Sequence, residues 1–471
     1  MSNSLIYKSA TELVKGIKAK EYSVKEVVIS HLKRIKEVNP YVNAIVNIEE
    51  DDILKKAEIM DANFNKNISK YPLLGLPIAI KDTHNVIGFK TTFGSKIYSE
   101  NYPNENEISV ERMLEAGAIV IGKTNVPEFA AGSHTFNKIF GTTYNPYDLT
   151  KTAGGSSGGA AAALATGMIA LADGSDMGGS CRNPAAYNNV VGLRPSPGLI
   201  PIKNKNLIYS PLSVQGPLAR NVEDLTLMLS VMAGRNKYDP LSYYSNITSD
   251  ILSESKPLKN IRIAYSADLG GSVPISTSVR KMFNRQLDVF NNLGCFLEED
   301  SIDFTNTAET FQILRANEFA LSYEDIYLLD KEKYIKETVR WNIKKGVELK
   351  SSDIRRAEKD RSLLYNKTNI FFEKYDFLIT PVSQVQPFDA GIEYPTEING
   401  NKMNTYIDWM ESCSIITVTG CPAISIPAGF AEDGLPFGLQ IIAPFNQDIS
   451  LLKIAFIFEQ ATKHGLKRPS L

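Results

Sequence analysis

The sequence predicts an α/β fold whose sheet is buried on both faces. Short apolar runs of strand length alternate with segments of helical periodicity. Those runs are apolar throughout, as strands covered on both sides are. The 471 residues are 43% hydrophobic and 22% charged, an ordinary globular balance. No low-complexity linker or internal repeat divides them, so one domain over 1–471 is expected instead of several units of about 150 residues.

The elements follow in order. Residues 9–60 read as helical, a segment (within 1–60) packed on the domain: Leu13, Val14 and Ile17, then Val27, Val28, His31, Leu32 and Ile35, recur at helical spacing. Ser23 with Glu26 three residues on forms a capping-box pattern. Leu73 to Ile80 (LLGLPIAI) and Ala118 to Ile121 (AIVI) read as buried strands, with a helix from Ser109 to Ala116 before the second. Residues 153–180 are dense in glycine, alanine and serine, and predict a tight helix at Ala160 to Ala165 between two Gly/Ser loops. A βαβ unit opens at Lys256: strand Ile261 to Tyr265, helix Ser278 to Asn292, strand Cys295 to Leu297. Residues 310–372 are mostly helical and charged. Phe377 to Pro381, Ala423 to Pro427 and Gly438 to Ile442 read as strands, and Ile449 to Ala461 as a closing helix.

Composition narrows the function. Lys+Arg total 51 against 53 Asp+Glu, which makes no electrostatic case for nucleic acid or an anionic membrane. Four cysteines (181, 295, 413 and 421) form no CxxC pair and no disulfide framework, which fits a reducing compartment. Four histidines (31, 84, 134 and 464) lack the spacing of helix-borne metal ligands, so no metal is expected. The opening MSNSLIYKSATELVKG has no apolar leader core, and the most apolar run, Ala160 to Ala172, is interrupted by Gly167 and too short for a bilayer. A cytoplasmic protein is expected. Sequons begin at Asn67, Asn246 and Asn366, a short pattern that arises by chance.

Three motifs compete. Gly117 to Thr124 fits a phosphate loop by letter, but its middle residues read as a strand instead of an open cradle of amides. Gly154 to Gly158 fits the GxSxG of a nucleophile elbow. The residues before it read as a turn, and only His464 lies far enough downstream to complete a triad. The third reading joins Lys81, at the end of the apolar run, to Ser156 and Ser157 in GGSSGG and Ser180 in GSDMGGSCRNPA. A serine needs a base to become nucleophilic. With histidines scarce, a desolvated lysine is the available base.

At these residues the chain resembles the amidase signature family of serine hydrolases. The resemblance rests on GLPIAIKD at 75–82, NVPEFA from Asn125, FGTTYNPYD from Phe140, TAGGSSGGAAAALATG from Thr152, GSDMGGSCRNPA from Gly174, VGLRPSPGLIP from Val191, QGPLARNVEDL from Gln215, IAYSADLGG from Ile263 and GCPAISIPAGF from Gly420. It spans roughly residues 8–465, with matching spacings of 75 residues from Lys81 to Ser156 and 24 from Ser156 to Ser180. It implies a mixed central sheet covered by helices and a Ser-cisSer-Lys triad, with Ser180 as nucleophile, Ser156 as bridging serine after a cis peptide, and Lys81 as base. It implies an oxyanion hole from the backbone of Met177, Gly178, Gly179 and Ser180, with Ser157, Asp176 and Arg182 supporting the loops. Met177 and the Cys181 and Asn183 flanking Arg182 depart from the usual family residues. Cys181 reads equally as pocket lining or packing.

The family includes stand-alone amidases and the A subunit of glutamyl-tRNA amidotransferase. Met410 occupies the place of that protein's glutamine-reading acid, between Asp408 and Glu411 but on neither. A stand-alone amidase is therefore favoured, needing no cofactor and acting on a small amide, with self-association left open. The amidotransferase component is the alternative. A catalytically silent scaffold is a third reading, which the retention of Lys81, Ser156 and Ser180 argues against. Trp341 and Trp409 read as core with a pocket role as the rival, and the amide itself is not specified.

Overall fold

In the computed structural model, which describes residues 5–64, 70–203, 205–254, 258, 260–328 and 334–471, the chain winds around one mixed sheet of eleven strands. In chain order these are β1 (Ile45–Asn47), β2 (Pro77–Lys81), β3 (Ile119–Thr124), β4 (Leu171–Asp176), β5 (Val191–Arg194), β6 (Val214–Ala219), β7 (Arg262–Tyr265), β8 (Phe296–Glu299), β9 (Phe377–Pro381), β10 (Ala423–Phe430) and β11 (Pro436–Ile442). Their spatial order is β1-β3-β2-β4-β6-β5-β10-β11-β9-β7-β8. β2 runs parallel to both β3 and β4, and β7 parallel to β8 and β9; the other neighbours are antiparallel. Every residue of β2, β3 and β6 is buried, so helices cover both faces, as the uninterrupted apolar runs require.

The helices follow their caps. Ser23 accepts the Glu26 N–H at 3.1 Å while Glu26 reaches back to the Ser23 N–H at 2.7 Å, opening the helix Val24–Val42. The helix Gly158–Ala165 is buried along its whole length. A side chain at Gly159 would meet the Asn125 N at 2.4 Å and the Ala44 O at 2.6 Å. Small residues here let the helix lie directly on backbone beside β2, β3 and β4.

Several elements depart from the sequence reading. The stretch 9–60 is not continuously helical: Asn39 Oδ1 accepts the N–H groups of Ala44 and Ile45 at 2.8 Å, turning the chain into edge strand β1. The second Gly/Ser loop begins as strand β4, because ladder bonds to β2 and β6 override the weak strand preference of Gly and Ser. The residues before GGSSGG form a small two-stranded ribbon, Tyr144–Asn145 with Asp148–Thr152, about the turn at 146–147. β5 and β6 carried no strand expectation. Asn67, Lys256 and part of the 310–372 segment lie outside the described residues. Among the described residues no helix is long and apolar enough to cross a membrane.

Candidate active site

β2 and β4 lie side by side in parallel, with Ala79 opposite Ala172. This register brings Lys81, the last residue of β2, level with the Asp173–Ser175 segment. The Lys81 N–H donates to Asp173 Oδ1 at 2.6 Å, and its Nζ lies 2.7 Å from Ser156 Oγ and 2.9 Å from Ser175 Oγ. Lys81 is wholly buried. Burial pulls its ammonium down to about 8, against the opposing pull of the Asp173 and Asp176 carboxylates.

Ser156 follows a cis peptide from Gly155. Its loop is fixed from below: Ser133 Oγ donates to the Gly155 carbonyl at 2.9 Å and Thr135 Oγ1 to that of Gly154 at 2.8 Å. Ser157 N–H donates to the Ser180 carbonyl at 3.2 Å, while its hydroxyl is buried and has no partner among the described residues.

The Ser180 loop is organised by Asp176. Its carboxylate accepts from Gly179 N at 2.9 Å, Cys181 N at 3.1 Å, and Arg182 Nε and Nη2 at 3.0 and 2.8 Å. Arg194 donates to the Asp176 carbonyl at 2.6 Å. Burial alone would raise this carboxyl, but Arg182 and Arg194 hold it well below the usual range. The Gly179 N–H, one of the four donors expected for an oxyanion hole, is thus taken up by Asp176.

Ser156, Ser175, Met177, Gly178 and Ser180 line one cavity of about 460 Å³. Phe93, Phe129, Phe319 and Tyr323 give it an aromatic wall, and Met410 also faces it. Cys181 is buried outside the lining, its Sγ toward the Gly216 carbonyl at 3.8 Å. Trp409 is buried against Phe388, and Trp341 packs edge-on against Tyr406. Trp409 is a core residue and Trp341 is half-buried against the core; neither lines this cavity. Lys123, the phosphate-loop lysine by letter, is buried in β3 with Nζ on the His84 carbonyl at 2.5 Å and Thr91 Oγ1 at 2.9 Å. It faces no open loop.

Sequence reasoning missed Ser175, Asp173 and His84. Ser175 stands one residue before Asp176, inside the GSDMGGS motif, and that adjacency was the available signal. Asp173 and His84 had none, because they meet only through strand pairing.

The Amidase family model matches residues 26–452. The chain is 33% identical over 472 residues to an acylamidase of Rhodococcus erythropolis, covering 99% of this chain and 98% of that one. It is also 33% identical over 477 residues to the A component of the glutamyl-tRNA(Gln) amidotransferase of Alkaliphilus metalliredigens, covering 95% of each. A bacterial aryl acylamidase of the amidase signature enzymes superimposes with a TM-score of 0.91 at 26% identity, over 98% of this chain and 99% of that one. With a matching family model, matching fold and relatives along nearly its full length, the chain belongs to the amidase signature family and is an amide-hydrolysing enzyme.

Proposed function

We propose that this chain is a stand-alone amidase that cleaves a small carboxamide through an acyl-enzyme on Ser180. The observation that carries the reading is the 2.7 Å contact between Lys81 Nζ and Ser156 Oγ, made by a fully buried lysine beside the cavity that Ser180 lines. Neutral Lys81 takes a proton from Ser156 as Ser156 takes that of Ser180, whose oxygen attacks the amide carbon. The carbonyl oxygen becomes an oxyanion facing the N–H groups of Met177, Gly178 and Ser180; one such donor is worth about 3–4 kcal/mol in the transition state. The proton returns through Ser156 to the leaving nitrogen, the C–N bond breaks, and water releases the acid from acyl-Ser180. Asp176, Arg182 and Ser157 hold the two loops in register. The four cysteines are buried free thiols, which supports a reducing, cytoplasmic setting.

Resemblance to the amidotransferase relatives favours a second reading, a glutaminase that works only with partner proteins. Met410 in the cavity wall supports the first: a thioether cannot ion-pair with the ammonium of glutamine. The purified chain, with no ATP, tRNA or partner protein added, is assayed on glutamine, asparagine, benzamide and an aryl anilide. Amine or ammonia release from a small amide is expected. Silence on every amide, with glutaminase activity appearing only when partner proteins and charged tRNA are added, would replace the stand-alone reading with the second.

A further inference from the structure

The reaction above uses Lys81, Ser156 and Ser180 and leaves a second pair of ionisable side chains beside the same cavity without a role. His84 is 6% exposed and lines the cavity with Ser156, Ser175 and Ser180. Its Nδ1 meets Asp173 Oδ2 at 2.5 Å. The other Asp173 oxygen accepts the Lys81 N–H at 2.6 Å. His84 N–H closes a turn on the Lys81 carbonyl at 2.9 Å, and the His84 carbonyl takes Lys123 Nζ at 2.5 Å and the Thr91 hydroxyl at 3.4 Å. One wholly buried carboxylate thus grips the backbone of the proposed base with one oxygen and an imidazole with the other.

We propose that His84 is a positioning residue for Lys81: by donating its Nδ1–H to Asp173 it takes up part of that carboxylate's charge, and so sets the pH at which hydrolysis switches on. The inference rests on the reading of Lys81 as base and adds a residue to it.

The argument is electrostatic. A carboxylate near an ammonium favours the charged form, and Asp173 is among the groups that oppose the release of the Lys81 proton. The other groups facing Lys81 are already engaged. Ser156 and Ser175 hold its Nζ. Asp176 is paired with Arg182 and lies 3.7 Å from Arg194. The Cys181 thiol is raised by burial and stays protonated. Asp82, next in the chain, is bonded to Thr92 and lies 3.9 Å from Lys123. On the His84 side, Lys123 and Thr91 meet its carbonyl and leave the ring to Asp173. Of the three buried carboxylates, Asp173 is the one held by a side chain that itself lines the cavity.

The test compares His84→Leu, which removes the donor, with His84→Asn, which keeps an N–H for Asp173, and with Asp173→Asn. Two readouts are taken from about pH 6 to about pH 10: kcat/KM on an amide, and the rate at which a fluorophosphonate labels Ser180. In His84→Leu both midpoints should rise by about one pH unit, making the variant about tenfold slower at pH 7 while the alkaline plateau stays within about threefold. His84→Asn should keep the wild-type midpoint within about 0.3 unit, and Asp173→Asn should move it to lower pH. A lower plateau with an unmoved midpoint in His84→Leu would make His84 merely structural and overturn the inference; so would equal shifts in the Leu and Asn variants. If His84→Leu does not fold, Asp173→Asn decides: a midpoint unmoved or raised overturns it. Failure of the underlying reading looks different: wild type would label without pH dependence, or Lys81→Ala would label as fast as wild type.

Discussion

Ser157 donates its backbone N–H to the carbonyl of Ser180 at 3.2 Å. This bond joins the two Gly/Ser loops, so the residue after the bridging serine and the proposed nucleophile share one peptide contact. The hydroxyl of Ser180 plays no part in it. Ser180→Ala should therefore leave the fold intact, with a melting temperature within about 2 °C of wild type, and abolish amide hydrolysis. A serine-reactive fluorophosphonate should label wild type at Ser180 alone. Labelling that persists in Ser180→Ala would move the nucleophile, first to Ser156.

Hydrolysis should rise with pH. The proposed reaction needs neutral Lys81, and burial pulls that group down to about 8. Below this value the neutral fraction falls tenfold per pH unit, so kcat/KM should climb to about pH 8 and then level off. Lys81→Ala should lose about 10³-fold or more in kcat, with substrate binding little changed. A profile flat from about pH 6 to about pH 9 would remove lysine as the base.

The proposed trio was legible because its signal is linear. Lys81 closes an apolar run, Ser156 and Ser180 sit in paired Gly-Gly-Ser sequences, and the spacings of 75 and 24 residues match a known family. Most strands were legible from apolar runs, β9 to the residue. β4 was not: in LADGSD only Leu171 and Ala172 are apolar, and the strand exists because β2 and β6 flank it. The same pairing explains the missed site residues. Asp173 reaches Lys81 across 92 residues of chain and His84 across 89. No local pattern encodes that meeting; it follows from which strands lie side by side.

Arg182 should matter to stability more than its place beside the nucleophile suggests. It is fully buried, donates twice to Asp176 and reaches Gln440 Oε1 at 2.6 Å and the Cys413 carbonyl at 3.1 Å. Arg182→Met leaves a buried carboxylate with Arg194, 3.7 Å away, as its remaining charged partner beside the Gly179 and Cys181 N–H groups. Losing one member of such a pair costs about 3–5 kcal/mol, readable as a lower urea midpoint. The pH sign follows from the carboxyl. Asp176 is depressed in the folded state, so its contribution is present above the unfolded carboxylate value of about 4 and is lost as pH falls through the folded value. The gap between wild type and Arg182→Met should therefore narrow below about pH 4. A gap constant with pH would mean that Arg182 acts through packing alone.

Gly179 should be irreplaceable for a reason separate from its amide. Its φ is +109°, a conformation that residues with a Cβ avoid. A Cβ built there would lie 2.6 Å from the Cys413 Cβ and 2.8 Å from Asn183 Nδ2. Both neighbours are buried, and Asn183 is tied to Ser133 and Ser383, so neither can withdraw freely. The loop must move instead, carrying Ser180 and the flanking N–H groups off their line, and a displacement of about 1 Å costs about 10²-fold in rate. Gly179→Ala should thus lose kcat by about that factor and label more slowly at Ser180. Combining it with Cys413→Gly removes the clash with Cys413 but neither that with Asn183 nor the dihedral strain, so only part of the lost rate should return. Full activity in Gly179→Ala would show that the loop tolerates the shift and that catalysis does not depend on the position Asp176 gives it.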